Sequence, residues 1–143
     1  MVYLGELPWG GLEEEKRHMD PIEDVANTIR IVVHAEQAYD ILDELASNPS
    51  NYSGPLYKLS RLAVKVLNDL ERRRNEFKER YGERDYNNIR DNLMYLSLKL
   101  NKLLEYLSSM NDDGRREEEV KRLAALAIAP DKYSMEVKEA LRG

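Results

Sequence analysis

Apolar residues recur at intervals of three and four along most of the chain, which is the spacing of an amphipathic α-helix. The run over residues 86–110 keeps this spacing without a miss, and a second run over 56–81 is interrupted only by Arg73. A third run covers residues 22–46. The pattern predicts an all-α fold, an antiparallel bundle of three long helices with a short fourth and an optional fifth helix.

Capping and turn residues set the predicted ends of these helices. Asp20-Pro21-Ile22-Glu23 is a capping box with proline at the first helical position, and Asn48-Pro49 ends the same run. Helix 1 is therefore predicted over 20–47. Helix 2 is predicted over 55–81, followed by a stop at Gly82.

Helix 3 is expected to begin with Asp85 as its cap, and its buried residues are expected to be Tyr86, Ile89, Leu93, Leu96, Leu100, Leu103, Leu107 and Met110. The short connection after helix 2 predicts that helices 2 and 3 form a long antiparallel hairpin. Further apolar residues, Met94, Leu98, Leu104 and Tyr106, widen the face of helix 3. They predict that helix 3 lies at the centre of the bundle.

The last part of the chain predicts shorter elements. Helix 4 is expected to follow the turn at residues 111–114, to bury Val120 and Leu123 and to end at Pro130. A final helix is expected to start at Ser134. Residues 20–143 are thus interpreted as one helical-bundle domain.

Residues 1–19 form a separate N-terminal arm in this interpretation, because Pro8 and three glycines interrupt any regular element there. The arm carries Tyr3, Leu7 and Trp9 among its apolar residues. Three explanations stay open: a strap that lies across its own bundle, a peptide that docks Trp9 into a partner's groove, and a segment that is simply disordered. Tyr3, Leu7 and Trp9 are the candidate partner-binding residues.

Composition excludes several classes of protein. The 143 residues contain no cysteine, so disulfides, thiolate zinc sites and thiol nucleophiles are excluded. No apolar stretch is long enough to predict a membrane span, and no secretory signal is evident, which predicts a cytoplasmic protein. A single glutamine and many charges of both signs are typical of thermophile proteins, although ten asparagines weaken that interpretation.

Charge is distributed unevenly within a formal net charge of -5. Residues 1–53 carry 11 acidic and 3 basic residues, whereas residues 54–84 carry 5 acidic and 9 basic ones. The bases could pair with Asp40, Asp43 and Glu44 of helix 1. Alternatively, the basic face of helix 2, defined as Lys58, Arg61, Lys65 and Arg72, could follow a phosphate backbone.

Three patterns of candidate catalytic or metal-binding residues are incomplete. Glu15 and His18 have the Glu-x-x-His spacing of di-iron bundles, but no second copy of the motif exists. Arg30 and His34 resemble the Arg and His pair of helical metal-free RNases of the HEPN type, with a spacing one residue too short. A partly buried His34 with a polar partner is the preferred interpretation. Acidic pairs such as Asp40 and Asp43 lack a facing acidic motif for Mg²⁺.

These observations predict a non-catalytic assembly subunit, without cofactor, metal or evident small-molecule substrate, that forms a homo-oligomer or joins a protein complex. It would use the arm around Trp9 and the surplus apolar face of helix 3. The alternative is a nucleic-acid-associated subunit that uses the basic face. In size and helical content the chain is similar to the small all-helical subunits of CRISPR ribonucleoprotein complexes. The basic face is the only motif behind that similarity, so it identifies no family.

Overall fold

The computed structural model describes residues 20–142, which form helices without any strand. The helices of this part of the chain are α1 (Pro21–Glu36), α2 (Tyr39–Ser47), α3 (Ser53–Arg72), α4 (Arg74–Tyr81), α5 (Glu83–Met94), α6 (Leu96–Ser108), α7 (Asp113–Ile128) and α8 (Lys132–Arg142). The all-α class is confirmed. The arrangement as three long helices is not confirmed, because each of the three is interrupted.

The predicted helix 1 is divided at Gln37. This residue has a left-handed backbone with φ of 54°, and the N–H groups of Gln37 and Ala38 both donate to the carbonyl oxygen of Val33. The turn closes α1 and redirects the chain into α2. Periodicity could not reveal the break, because neither glycine nor proline stands there.

The other two interruptions are local, because helical hydrogen bonds continue through them. At Arg73 the N–H of Phe77 still donates to the carbonyl oxygen of Arg73 at 2.9 Å. At Tyr95 the N–H of Lys99 donates to the carbonyl oxygen of Tyr95 at 3.1 Å.

The apolar stripe of the predicted helix 3 is buried as expected from Tyr86 to Leu107, and only Met110 at its end is partly exposed. The central position, however, belongs to α1, which contacts α3, α6, α7 and α8. Buried side chains occur on every side of α1, including Ile22, Ile31 and Val32. The prediction that helix 3 is the centre is wrong, because Met94 and Leu98 face solvent.

Two helix starts differ from the prediction. Gly82, with φ of +98°, ends α4 as expected and also directly precedes α5. Asp85 therefore lies inside the first turn of α5, where it is buried instead of capping the helix. The final helix starts at Lys132, two residues early, because Asp131 and Ser134 exchange hydrogen bonds of 2.8 Å in a capping box.

Candidate interaction surfaces

The basic face lies on α3 and points away from the core. The opposite side of that helix buries Leu56, Leu59, Ala63, Val66 and Leu70, so the helical repeat turns the basic residues toward solvent. All four are exposed. The structure therefore places them on one accessible surface.

Acidic residues neutralise much of this face. Lys58 Nζ lies 3.1 Å from Glu44 Oε1, and Lys65 Nζ lies 2.9 Å from Glu36 Oε1. Arg72 pairs with Asp69 on the same helix. The hydrogen bond from Lys65 to Glu36 raises the pKa of Lys65. Exposed pairs of this kind contribute about 0–1 kcal/mol each to stability. Their main effect here is that the carboxylates reduce the positive charge of the basic face.

Of the three acids predicted to pair with helix 2, Glu44 does so. Glu36, which pairs with Lys65, was not anticipated. Glu36 is the last residue of α1, and α1 packs against α3. The contact depends on how these two helices pack, which the spacing of residues along the chain does not determine.

The outer face of α3 carries an open depression lined by Arg61, Val64, Lys65, Asn68, Asp69 and Arg72. At one end the Arg61 guanidinium lies 5.9 Å from the centroid of the exposed Tyr57 ring. Sequence analysis missed Tyr57 as a partner of the basic face. Tyr57 precedes Arg61 by four residues, a spacing that places two side chains next to each other on a helix and could have indicated this contact.

A second exposed surface lies where α5 meets α6. Met94, Tyr95 and Leu98, which we call the junction patch, are 53%, 52% and 58% exposed. Leu104 and Tyr106, from the same predicted apolar face, are partly buried against the core. Of the four further apolar residues of the predicted helix 3, Met94 and Leu98 are therefore the ones exposed enough to contact a partner.

The predicted partner-binding residues Tyr3, Leu7 and Trp9 lie outside the described residues, as do Glu15 and His18. Within residues 20–142, no group of three or more potential ligands is placed to hold a metal ion. This holds for the Asp40 and Asp43 pair as well. No helix in the same range is both long and apolar enough to cross a membrane.

Arg30 and His34 do not form a substrate-facing pair. His34 is 5% exposed, and its Nδ1 lies 3.0 Å from the Tyr39 hydroxyl across the left-handed turn. Arg30 binds the carbonyl oxygen of Leu126 and the carboxylate of Asp131. Burial lowers the pKa of His34. The preferred interpretation, a partly buried histidine with a polar partner, is confirmed.

A charged cluster joins α5 to α8. Lys132 Nζ lies 3.2 Å from Asp85 Oδ2, and Oε1 of Glu136 is buried without a hydrogen-bond donor. Burial, reinforced by Asp85, raises the pKa of Glu136 to about 7. A buried carboxyl group without a donor favours its neutral, protonated form.

Comparison with known proteins identifies the family of this chain. The chain is 38% identical over 122 residues to the CRISPR system associated protein Csa5 of Thermoproteus tenax. The match covers 85% of this chain and 91% of the relative. The chain belongs to the Csa5 family. No family model and no solved structure matches it. The relative's name associates it with a CRISPR system and describes no reaction.

Proposed function

We propose that the chain is a non-catalytic subunit of a CRISPR ribonucleoprotein assembly. The observation that carries this proposal is the similarity to Csa5 over 85% of the chain. Its role is to supply helical surfaces to the assembly, and it requires no cofactor, metal ion or small-molecule substrate. Such an assembly would act in the cytoplasm.

Protein contacts in this proposal use the junction patch together with Tyr3, Leu7 and Trp9 of the N-terminal segment. Exposed apolar side chains that lie close together are typical of protein interfaces. Tryptophan and tyrosine are also the residues that most often dominate binding energy at such interfaces. The same contacts could join copies of this chain to one another.

Co-purification tests the assembly proposal. The tagged full-length chain is expressed in its own organism, and the purified material is analysed by mass spectrometry and by sequencing of bound RNA. We expect other CRISPR-associated proteins and CRISPR RNA in stoichiometric amounts. A chain recovered alone, or with proteins unrelated to CRISPR and without this RNA, would contradict the proposal.

A second candidate function is direct nucleic-acid binding by the basic face. The supporting observation is the outer face of α3, where Arg61, Lys65 and Arg72 are exposed and the Arg61 guanidinium lies over the Tyr57 ring. Arginine and lysine contact phosphates, and an exposed tyrosine can stack on a base of a single strand. Glu36, Glu44 and Asp69 would weaken this binding, so we expect it to be modest and dependent on salt.

Paired substitutions test this second function by fluorescence anisotropy with labelled single-stranded DNA and RNA. Arg61→Glu should weaken binding, whereas Glu36→Gln should strengthen it by releasing Lys65 from its ion pair. Lys121→Glu, on the exposed surface of α7, is the matched control for a charge change elsewhere. Equal effects of Arg61→Glu and Lys121→Glu would show a nonspecific charge effect and reject the basic face.

A further inference from the structure

A polar recess lies where three parts of the domain meet. It has a volume of about 290 Å³ and is bordered by α1, by the end of α5 and by the turn that leads into α8. The residues that line it are Asp24, Asn27, Ile31, Asn92, Asp131 and Tyr133. None of them belongs to the basic face or to the junction patch, so the recess is a separate feature of the surface.

Lys99 holds one side of this recess in place. Its side chain is mostly buried, and its Nζ lies 3.1 Å from Asp24 Oδ1 and 2.6 Å from Asn92 Oδ1. The Asn92 amide is fixed at both ends, because its Nδ2 donates to the carbonyl oxygen of Asn88 at 2.8 Å. Lys99 occupies one oxygen of Asp24, which leaves Oδ2 able to accept a hydrogen bond from a ligand.

Arg30 holds the other side. Its Nη1 donates to Asn27 Oδ1 at 2.9 Å and lies 3.3 Å from Asp131 Oδ2. Because the oxygen of the Asn27 amide is bound in this way, its Nδ2 group is a donor for a ligand. The hydroxyl oxygen of Tyr133 accepts from Asn88 Nδ2 at 3.1 Å. The O–H of Tyr133 is therefore a second donor.

The charges that border the recess cancel. Two carboxylates, Asp24 and Asp131, pair with two cations, Lys99 and Arg30, so these groups exert little net attraction on a free ion. Their capacity for hydrogen bonds is nevertheless large, since carboxylate oxygens accept and the amide and hydroxyl groups donate. A ligand that suits such a site is neutral and carries donors and acceptors side by side.

Size and walls distinguish two common groups of that kind, an amide and a nucleobase. The volume lies near the lower end of the range of about 300–1,000 Å³ for small-ligand sites, which is more than one amide group fills. Ile31 is buried beneath the recess, and Tyr133 is packed partly against the core. They supply an apolar and an aromatic surface. Proteins bind single unpaired bases with hydrogen bonds to the base edge and apolar or aromatic contact to its face.

We propose that the recess binds a single unpaired nucleobase of a strand, with Asp24 and Asn27 at its hydrogen-bonding edge and Tyr133 against its ring. The inference rests on the proposed function, because a ribonucleoprotein assembly supplies the strand. A carboxylate can accept from the exocyclic amino group of cytosine, adenine or guanine, whereas uracil has no such group. Bases with an amino group should therefore bind more tightly than uracil.

Nucleosides provide a direct test, because they contain the base without a phosphate. The full-length protein, labelled with nitrogen-15, is titrated with adenosine, cytidine and uridine while NMR follows the side-chain amide signals of Asn27 and Asn92. We expect saturable shifts of both signals, with cytidine binding severalfold more tightly than uridine. Asn27→Ala should weaken cytidine binding about tenfold by removing a hydrogen bond. Asn101→Ala, at an exposed asparagine of α6, is the matched control.

Two labelled strands then identify the source of the base. One is an oligouridylate with a single central cytidine, and the other has an abasic position in place of that cytidine. Fluorescence anisotropy should show tighter binding of the strand with cytidine, and Asn27→Ala should remove the difference. Nucleoside binding together with equal affinity for the two strands would assign the recess to a free nucleoside and overturn the strand as its source.

Three results would overturn the base site itself. They are the absence of saturable shifts with any nucleoside, equal effects of Asn27→Ala and Asn101→Ala, and equal shifts with acetamide, which would report a protein amide instead. Circular dichroism checks that both variants fold. The proposed function fails separately: co-purification without CRISPR RNA would reject the assembly and leave measured cytidine binding intact. Co-purification with that RNA but no nucleoside binding would reject the base site alone.

Discussion

The guanidinium of Arg30 in α1 binds the carbonyl oxygen of Leu126 in the last turn of α7, with Nη2 at 2.6 Å and Nε at 3.2 Å. Its Nη1 also lies 3.3 Å from Asp131 Oδ2, before α8. One side chain thus joins three helices. Helix carbonyls near a C-terminus have no partner in their own helix, and a cation there is stabilising.

Replacement of Arg30 should therefore destabilise the domain. We expect Arg30→Met to lower the free energy of unfolding by about 2–3 kcal/mol, because it removes charge-assisted hydrogen bonds from a side chain that is mostly buried. Arg30→Lys should lose less, since it keeps the charge but not the two-pronged geometry. Urea denaturation measures both, and Lys121→Met is the surface control. Equal midpoints for Arg30→Met and the control would contradict this role.

A substitution at Gln37 should stabilise the domain, in contrast to the replacement of Arg30. Its side chain is exposed and its φ is 54°, a conformation that glycine adopts without a steric cost. Gln37→Gly should raise the free energy of unfolding by up to about 1 kcal/mol, and Gln37→Val should lower it by about 1 kcal/mol or more. Thermal denaturation separates the two. A loss of stability in Gln37→Gly would show that the turn is not left-handed in solution.

Glu136 should make stability depend on pH. In the folded state the pKa of Glu136 is raised from 4.5 to about 7. Between these two pH values, the folded state therefore holds a proton that the unfolded state releases. Stability from this group is therefore complete below about pH 4.5 and is lost as the pH rises toward 7. Glu136→Gln should remove this loss of stability at high pH, because glutamine does not ionise. At pH 8 the variant should be more stable than the unsubstituted chain by about 1–2 kcal/mol, after allowance for partial solvent exposure.

Urea denaturation at pH 5 and pH 8, with Glu139→Gln as a control on the same helix, measures this effect. Glu139 is exposed and bonds Arg80 and Tyr81, so its replacement should not change the pH dependence in the same way. If Glu136→Gln and the unsubstituted chain showed the same dependence on pH, the raised pKa of Glu136 would be contradicted.

His34 should titrate below its ordinary pKa of 6.5, because burial disfavours the imidazolium form. The sign for stability is opposite to that of Glu136: the contribution is present above pH 6.5 and is lost as the pH falls. Proton–carbon NMR of the imidazole measures the titration, with His34→Gln to assign the signal. A midpoint above 6.5 would contradict the buried environment.

The sequence was sufficient to predict features that depend on local patterns. The buried stripe from Tyr86 to Leu107 follows from periodicity alone, and Asp20 caps α1 as expected, with its Oδ1 accepting from the N–H of Ile22. Gly82 ends α4 because a positive φ suits glycine. These are interactions between residues close together in the chain.

Features that depend on distant residues could not be predicted in this way. Arg73, which interrupts the stripe of helix 2, donates to the carbonyl oxygen of Ala140 at 2.7 Å and so caps α8. The sequence shows that Arg73 interrupts the stripe, but its partner Ala140 lies 67 residues away. The central place of α1 and the pairing of Lys65 with Glu36 likewise depend on packing between helices that are distant in the chain.

The packing of α1 against α7 and α8 has a consequence for synthesis of the protein. This helix leaves the ribosome first among the described helices, yet Asp20 and Arg30 find Arg122 and Leu126 only after almost the whole chain has been translated. Until then Ile29 and Val32, both fully buried in the finished domain, lack most of their neighbours. Exposed apolar surface of this kind promotes aggregation. Nascent chains that stop before α7 should therefore be the ones that depend most on chaperones.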